Sequence, residues 1–244
     1  GQGAGEQLAQ HKKRGRFMGK EVSGMGCPLV SIMMPIYNND HYLVQAIKSV
    51  TAQTLRDIEL VACDDGSTDR TWELALVEAA SDSRIRLIRN EQNIGIVRTR
   101  QKLLHECRGK YVAHLDSDDF LERWAVEETL RIFAEDPELA LVYSDSAFVD
   151  EAGHVTGYRN DPDFSRKNLM YLGWRHFGMY RRDLALAAGG FNLQLIRGCE
   201  DGDLFMRLAS RHPCRHLAKV LYYYRCHSSN SSRREHTEEA RREG

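Results

Sequence analysis

Three carboxylates crowd the stretch HLDSDDF: Asp116, Asp118 and Asp119. Like charges this close repel, and an unpaired carboxylate is costly to bury. Asp116 and Asp118 stand two apart, so on extended backbone both side chains point to one side. Such an oxygen pair suits a hard divalent cation, Mg²⁺ or Mn²⁺, which bridges protein carboxylates to substrate phosphates rather than sitting in an all-protein cage. The competing chemistry, an acid and a base across a glycosidic bond, needs carboxyl groups roughly 5–10 Å apart, wider than an i, i+2 pair readily gives. Neither GxxxxGK[ST] nor GxGxxG occurs in the chain, so phosphates would lean on the metal rather than on a glycine loop.

The elements that must position these acids are legible as a rhythm. Apolar, often β-branched runs begin at Leu29, Ile58, Ile85, Tyr111 and Leu139, with 29, 27, 26 and 28 residues between successive starts. Helical patterns lie between them. Leu43, Ala46, Ile47 and Val50 repeat at i, i+3, i+4, i+7, and Ser67 or Thr68 is placed to cap a helix carrying Trp72, Leu76 and Val77. A third helix is expected over DDFLERWAVEETLRIF, with Phe120, Trp124 and Leu130 on one side and Asp119 as its cap; Asp69 caps likewise. Strand and helix alternating in this way predict an α/β fold with a mostly parallel sheet. Beyond Tyr143 the rhythm breaks into short pieces, then resumes with the helical EDGDLFMRLAS and the apolar strand KVLYYYRC.

In an open parallel sheet, ligands bind beyond the carboxyl ends of the strands. Pro35, Tyr37 and Asn38 are expected after the first strand, Asp64 and Asp65 after the second, Asn93 after the third, and Asp116 and Asp118 after the fourth. Polar groups therefore gather at one edge.

Composition bounds the rest. The 244 residues are 42% hydrophobic and 28% charged, with a formal net charge of -1. Nothing draws such a chain to nucleic acid or to an anionic membrane, and no apolar run approaches the roughly 18–20 residues of a membrane span. The six cysteines form no CxxC pair and read as reduced cytosolic thiols. A cytoplasmic protein, or one peripheral to the inner face of a membrane, is expected. Residues 1–27 read as a tail or linker, and residues 231–244 as a charged tail.

The ordered set VSIMMPIYNND, VACDDGSTDRT, NIGIVRTR, HLDSDD and GGFN…GCEDGDLFMRL resembles the family 2 inverting glycosyltransferases of the GT-A fold, over about residues 28–230. The resemblance implies a nucleotide-binding half, 28–120, and an acceptor-binding half of smaller, mixed structure, 121–230. It implies that Pro35 and Tyr37 line the nucleotide base, that Asp65 binds base or ribose, and that Asn93, Gly95 and Arg100 lie near base and phosphates. Asp116 would face the ribose and, with Asp118, the metal, whose site His227 would complete. Asp201 matches the catalytic base, with Glu200 beside it. Gln101 stands where the family often has Asn, and Arg98 adds a second positive charge beside Arg100.

Trp174 and His176 precede the base, and aromatic faces stack on sugars, so they are candidate acceptor contacts, as is Glu200; core packing is the competing account. Gly189 and Gly190 suggest close backbone approach. The expected activity is transfer of a sugar, most simply from a UDP-sugar, to a hydroxyl of a glycan, lipid-linked or protein acceptor, with Mn²⁺ or Mg²⁺, by a domain that can belong to a longer multidomain chain. Two rivals use the same acids: a nucleotidyltransferase or phosphohydrolase, and a non-catalytic nucleotide-sugar binding module.

Overall fold

A computed structural model describes residues 26–165, 167, 176–195, 199–228 and 230. Its first half is the expected parallel sheet. Strands β1 (Val30–Ile36), β2 (Ile58–Asp64), β3 (Ile85–Arg89) and β4 (Tyr111–His114) lie in the order β3-β2-β1-β4, all parallel. β1 and β2 are buried along their whole length, because both faces of the sheet are covered. Alternate residues of a strand point to opposite faces. Val30, Ile32, Met34 and Ile36 therefore pack with α1 (Leu43–Thr51), Ala75 of α2 (Thr71–Ser81) and α4 (Ala125–Glu135). Met33, on the other face, packs with α3 (Ile96–Glu106), α5 (Arg182–Ala187) and α6 (Glu200–Arg211).

The second half continues the same sheet with mixed direction. β4 pairs antiparallel with β8 (Gly178–Arg181), which pairs antiparallel with β6 (Leu141–Val149). β6 runs parallel to β9 (Cys214–Arg225) and forms a hairpin with β7 (Val155–Arg159). The two-residue β5 (Phe120–Leu121) pairs with Tyr222 and Tyr223 of β9. Among the described residues nine strands thus form one sheet. None of the described helices is long and apolar enough to cross a membrane.

Three local expectations are corrected. The third helix starts at Ala125, because Phe120 and Leu121 find a strand partner in β9. Asp119 is no cap; it is buried beneath β9, where it accepts hydrogen bonds from the Tyr222 hydroxyl and the Arg225 main-chain N–H. Ser67 and Thr68 do not cap α2. Their hydroxyl and N–H bond Asn38 of the neighbouring loop instead, and Asp69 accepts the Thr71 N–H at the helix start. The tail at 231–244, residues 1–25 and Trp174 lie outside the described residues.

Candidate active site

The ends of the parallel strands meet on one edge. Pro35 and Asp64 lie inside their strands rather than after them, since the β1–β2 register runs on through Pro35↔Cys63 and Ile36↔Asp64. Tyr37, the first residue beyond β1, is 48% exposed. Asp64 is buried against Arg89, 3.0 Å away. Asp65, also buried, accepts hydrogen bonds from Asn90 Nδ2 (2.8 Å) and from the main-chain N–H groups of Ile94 and Gly95 (3.0 Å each). Its carboxylate thereby shapes the loop into α3. Gly95 takes a positive φ of 90° there, which a side chain would disfavour, and Asn93 Oδ1 accepts the same Gly95 N–H at 3.0 Å. A cleft of about 490 Å³ opens beside this loop, lined by Gly66, Ser67, Thr68, Arg89, Asn90 and Glu91.

Arg100 is the node of the site. It projects from α3, its side chain only 5% exposed, and meets three carboxylates from two distant parts of the chain. Nη2 donates to Asp116 Oδ1 at 2.6 Å, while Nη1 lies 3.2 Å from Glu200 and 3.3 Å from Asp201. The Nη1 contacts are charge pairing without hydrogen-bond alignment. Burial opposes the guanidinium charge, but the three acids outweigh it and hold the pKa well above its ordinary value. Arg98, by contrast, is exposed. Asp116 keeps 41% of its side chain accessible, yet it sits among charged neighbours. Desolvation there pushes its pKa up to about 6, Arg100 pulls it down, and Asp118, Asp201 and Glu200 push it up again.

Asp201 lies in the first turn of α6, its side chain 24% exposed, and Glu200 beside it is buried. The helix begins after Cys199 with no side-chain cap, so Asp201 is not the N-cap. Asp203 is taken by Arg207 four residues on, whose guanidinium also bonds the carbonyls of Ala188 and Gly190. Gly190 is held from the other side by Gln101: a Cβ there would stand 2.2 Å from the Gln101 side-chain oxygen, which accepts the Phe191 N–H. The close approach expected at the glycine pair is therefore to Gln101.

Asp118 is joined to His227, with Oδ2 and Nε2 3.0 Å apart, although 109 residues separate them in sequence. Asp116 is drawn to Arg100 instead. Among the described residues, no three His, Cys, Asp or Glu side chains gather into a set able to hold a metal ion alone. Asp118 and His227 are the residues that would hold Mg²⁺ or Mn²⁺, and a carboxylate oxygen with an imidazole nitrogen would suit such an ion only together with oxygens from a ligand.

His176, on the acceptor side, is half-buried. Its ring stacks on Tyr224 at 4.4 Å, and Nδ1 is 2.9 Å from the Ser146 hydroxyl. Sequence reading missed Tyr222, whose hydroxyl donates to Asp119 (2.6 Å) and accepts the Asp116 N–H (3.3 Å), and it missed Arg225. An arginine closing the apolar run VLYYY was the available signal.

The sequence profile described as Glycosyl transferase family 2 matches residues 31–187. The chain belongs to glycosyl transferase family 2. A chondroitin synthase of Escherichia coli is 38% identical over 208 residues, which cover 84% of this chain and 30% of that relative's length. The fold is that of the GT-A glycosyltransferases. S. aureus TarS in complex with UDP-GlcNAc superposes with a TM-score of 0.70 at 21% identity, covering 82% of this chain and 59% of the other. Mannosyltransferase PcManGT from Pyrobaculum calidifontis in complex with GDP-Man and Mn²⁺ gives 0.66 at 16% identity, covering 93% and 65%.

Proposed function

We propose that this family 2 glycosyltransferase chain is a metal-assisted, inverting transferase domain moving a sugar from a nucleoside-diphosphate sugar, a UDP-sugar first, to a glycan hydroxyl. The observation that carries the reading is the Arg100 node, which ties Asp116 of the DSDD loop to Asp201 at the head of α6. A binding module needs the first carboxylate, but it has no use for a second, partly open one held beside it. The UDP-GlcNAc and GDP-Man of the two structural neighbours support the donor class, and the chondroitin synthase relative supports a glycan acceptor.

Residues 28–120 form the donor half in this reading. The exposed Tyr37 ring stacks on the base, and the loop shaped by Asp65, Asn93 and Gly95 receives base and ribose beside Asp116. Asp118 and His227 would hold Mn²⁺ or Mg²⁺, which offsets charge gathering on the leaving diphosphate. Residues 121–230 present the acceptor near Glu200 and His176. Its hydroxyl oxygen forms the new bond to the anomeric carbon on the face opposite the departing diphosphate oxygen, and its proton passes to Asp201. Arg100 keeps Asp116 and Asp201 at fixed separation, so donor and base face one another.

A panel of nucleotide sugars, assayed for transfer and for donor hydrolysis, tests the class; release of pyrophosphate from a nucleoside triphosphate would favour a nucleotidyltransferase instead. Asp201→Asn keeps shape and removes the basic oxygen. Its kcat is expected to fall about 10²–10⁴-fold with donor Kd unchanged. Turnover near the wild-type rate would remove Asp201 from the role and bring Glu200 forward.

A further inference from the structure

Arg225 is a buried cation whose side-chain partners, among the described residues, are all uncharged. It is 1% exposed. Its Nε donates to the main-chain oxygen of Asp118 (2.9 Å), Nη1 to the carbonyls of Asp150 (3.1 Å) and Glu151 (2.9 Å), and Nη2 to Gln45 Oε1 (2.6 Å). The guanidinium also lies over the Tyr42 ring at 4.6 Å and the Phe120 ring at 5.5 Å. A buried charge without an anion is tolerated only when its N–H groups are met by acceptors. Holding four acceptors around one planar fork also fixes those acceptors.

Two of these contacts lead to the same place. One holds the main chain of Asp118 from behind. The other passes through Tyr42, whose ring meets both the Arg225 guanidinium, 4.6 Å away, and the His227 ring, 5.0 Å away. The Arg225 main chain contributes as well, since its N–H bonds Asp119 at 2.7 Å and His227 follows two residues later. All routes converge on the 3.0 Å contact of Asp118 with His227.

We propose that Arg225 is a positioning residue that presets the Asp118–His227 pair for a cation-bound nucleoside diphosphate, holding Asp118 by its carbonyl and His227 through the Tyr42 ring. This rests on the metal reading above. The tie also reaches the Asp150–Glu151 turn of the β6–β7 hairpin, so the acceptor half contributes to the geometry of the donor site. Lysine cannot replace the fork, because one ammonium cannot reach the Asp118 carbonyl, the turn and Gln45 together.

The test is calorimetric binding of UDP, and in parallel GDP, to the whole chain with Mn²⁺ and with excess EDTA. The reading is the ratio of the two Kd values, taken with the melting temperature. Arg225→Lys and Tyr42→Leu are expected to lower the ratio about tenfold, the small end of the usual loss when a partner behind a metal ligand is removed. Kd in EDTA should stay near wild type. Phe133→Leu, a core change on α4 away from the site, is the control: it lowers the melting temperature and leaves the ratio unchanged. An unchanged ratio in Arg225→Lys, or in Tyr42→Leu should the lysine variant fail to fold, overturns the proposal and leaves Arg225 a fold residue. A wild-type ratio of one overturns the metal reading itself, and this proposal with it.

Discussion

Arg100 on α3 and Arg225 at the end of β9 are both buried, yet the first faces three carboxylates and the second faces carbonyls, an amide and two aromatic rings. The contrast separates two ways of building a polar centre. Around Arg100 the charges are paired: one guanidinium offsets part of the repulsion among three acids, and two of those acids stay partly exposed. Around Arg225 the guanidinium meets no carboxylate among the described residues, and it works as a rigid bracket. Removing the first should release electrostatic energy stored among carboxylates. Removing the second should loosen positions. The loop holding Asp116, Asp118 and Asp119 lies between the two.

The largest expected effect breaks the ion-paired side. Arg100→Met leaves Asp116, Glu200 and Asp201 without a counter-charge. Removing one partner of a buried ion pair costs about 3–5 kcal/mol; the open faces of Asp116 and Asp201 place this site toward the lower end of that range. Turnover should vanish as well, because the acids separate. Arg100→Lys retains charge but not reach, and should recover stability more than activity. Urea denaturation and kcat on both variants check this. If Arg100→Met loses no more stability than Arg225→Met, the three acids do not depend on Arg100 for balance, and the distinction between the two arginines fails.

A smaller effect tests the link between the two sides. The Tyr222 hydroxyl accepts the Asp116 N–H and donates to Asp119, which also accepts the Arg225 N–H. Burial pushes the Asp119 carboxyl well above its ordinary range, with Asp118 and Asp116 adding to the rise, while the bonds from Arg225 and Tyr222 hold it down. Tyr222→Phe deletes one of those two bonds and leaves a buried carboxylate oxygen without its donor. A loss of about 1–3 kcal/mol is expected, measured by chemical denaturation with the ring packing intact. A loss within error would mean that the two arginine neighbourhoods are independent.

The sequence exposes one side of this comparison better than the other. β1, β2 and β4 announce themselves because largely apolar runs buried on both faces leave a near-continuous apolar signature. α6 does so because acids at its head precede apolar residues at helical spacing, and that places Glu200 and Asp201 correctly in one turn. Their meeting with Arg100 has no local signature, since it spans 100 residues and depends on α3 and α6 covering the same sheet face. β5 was hidden for a related reason. Phe120 and Leu121 are two residues long and take their strand character wholly from β9, about a hundred residues later. Without that pairing, Asp119 looks like a helix cap and Arg225 looks like the end of a core strand. The apolar pattern encodes the layers; the polar centre is encoded in tertiary pairings that no period reveals.

The smallest effect reads the reach of the Arg100 charge beneath the site. His114 is buried at the end of β4, with Nε2 2.8 Å from the Tyr180 hydroxyl and its ring stacked on Phe205 at 5.3 Å. Its Nδ1 has no hydrogen-bond partner among the described residues, so a second ring proton would find no acceptor. Burial first, and the Arg100 charge second, hold its pKa well below the ordinary imidazole value. The sign follows from linkage. Below about pH 6.5 the unfolded chain takes up a proton at this position and the folded chain does not, so stability is present above that pH and is lost as pH falls toward the folded pKa. One such group contributes a slope of up to about 1.4 kcal/mol per pH unit. Urea denaturation between pH 7.5 and 5.5 should show this slope in the wild type and in Arg225→Lys, whose bracket lies away from His114, and a shallower slope in His114→Phe, which keeps the aromatic stack and removes the titration. An equal slope in His114→Phe would mean that the imidazole is not held neutral, and that the charge of Arg100 is spent on its three carboxylates without pressing on the floor beneath them.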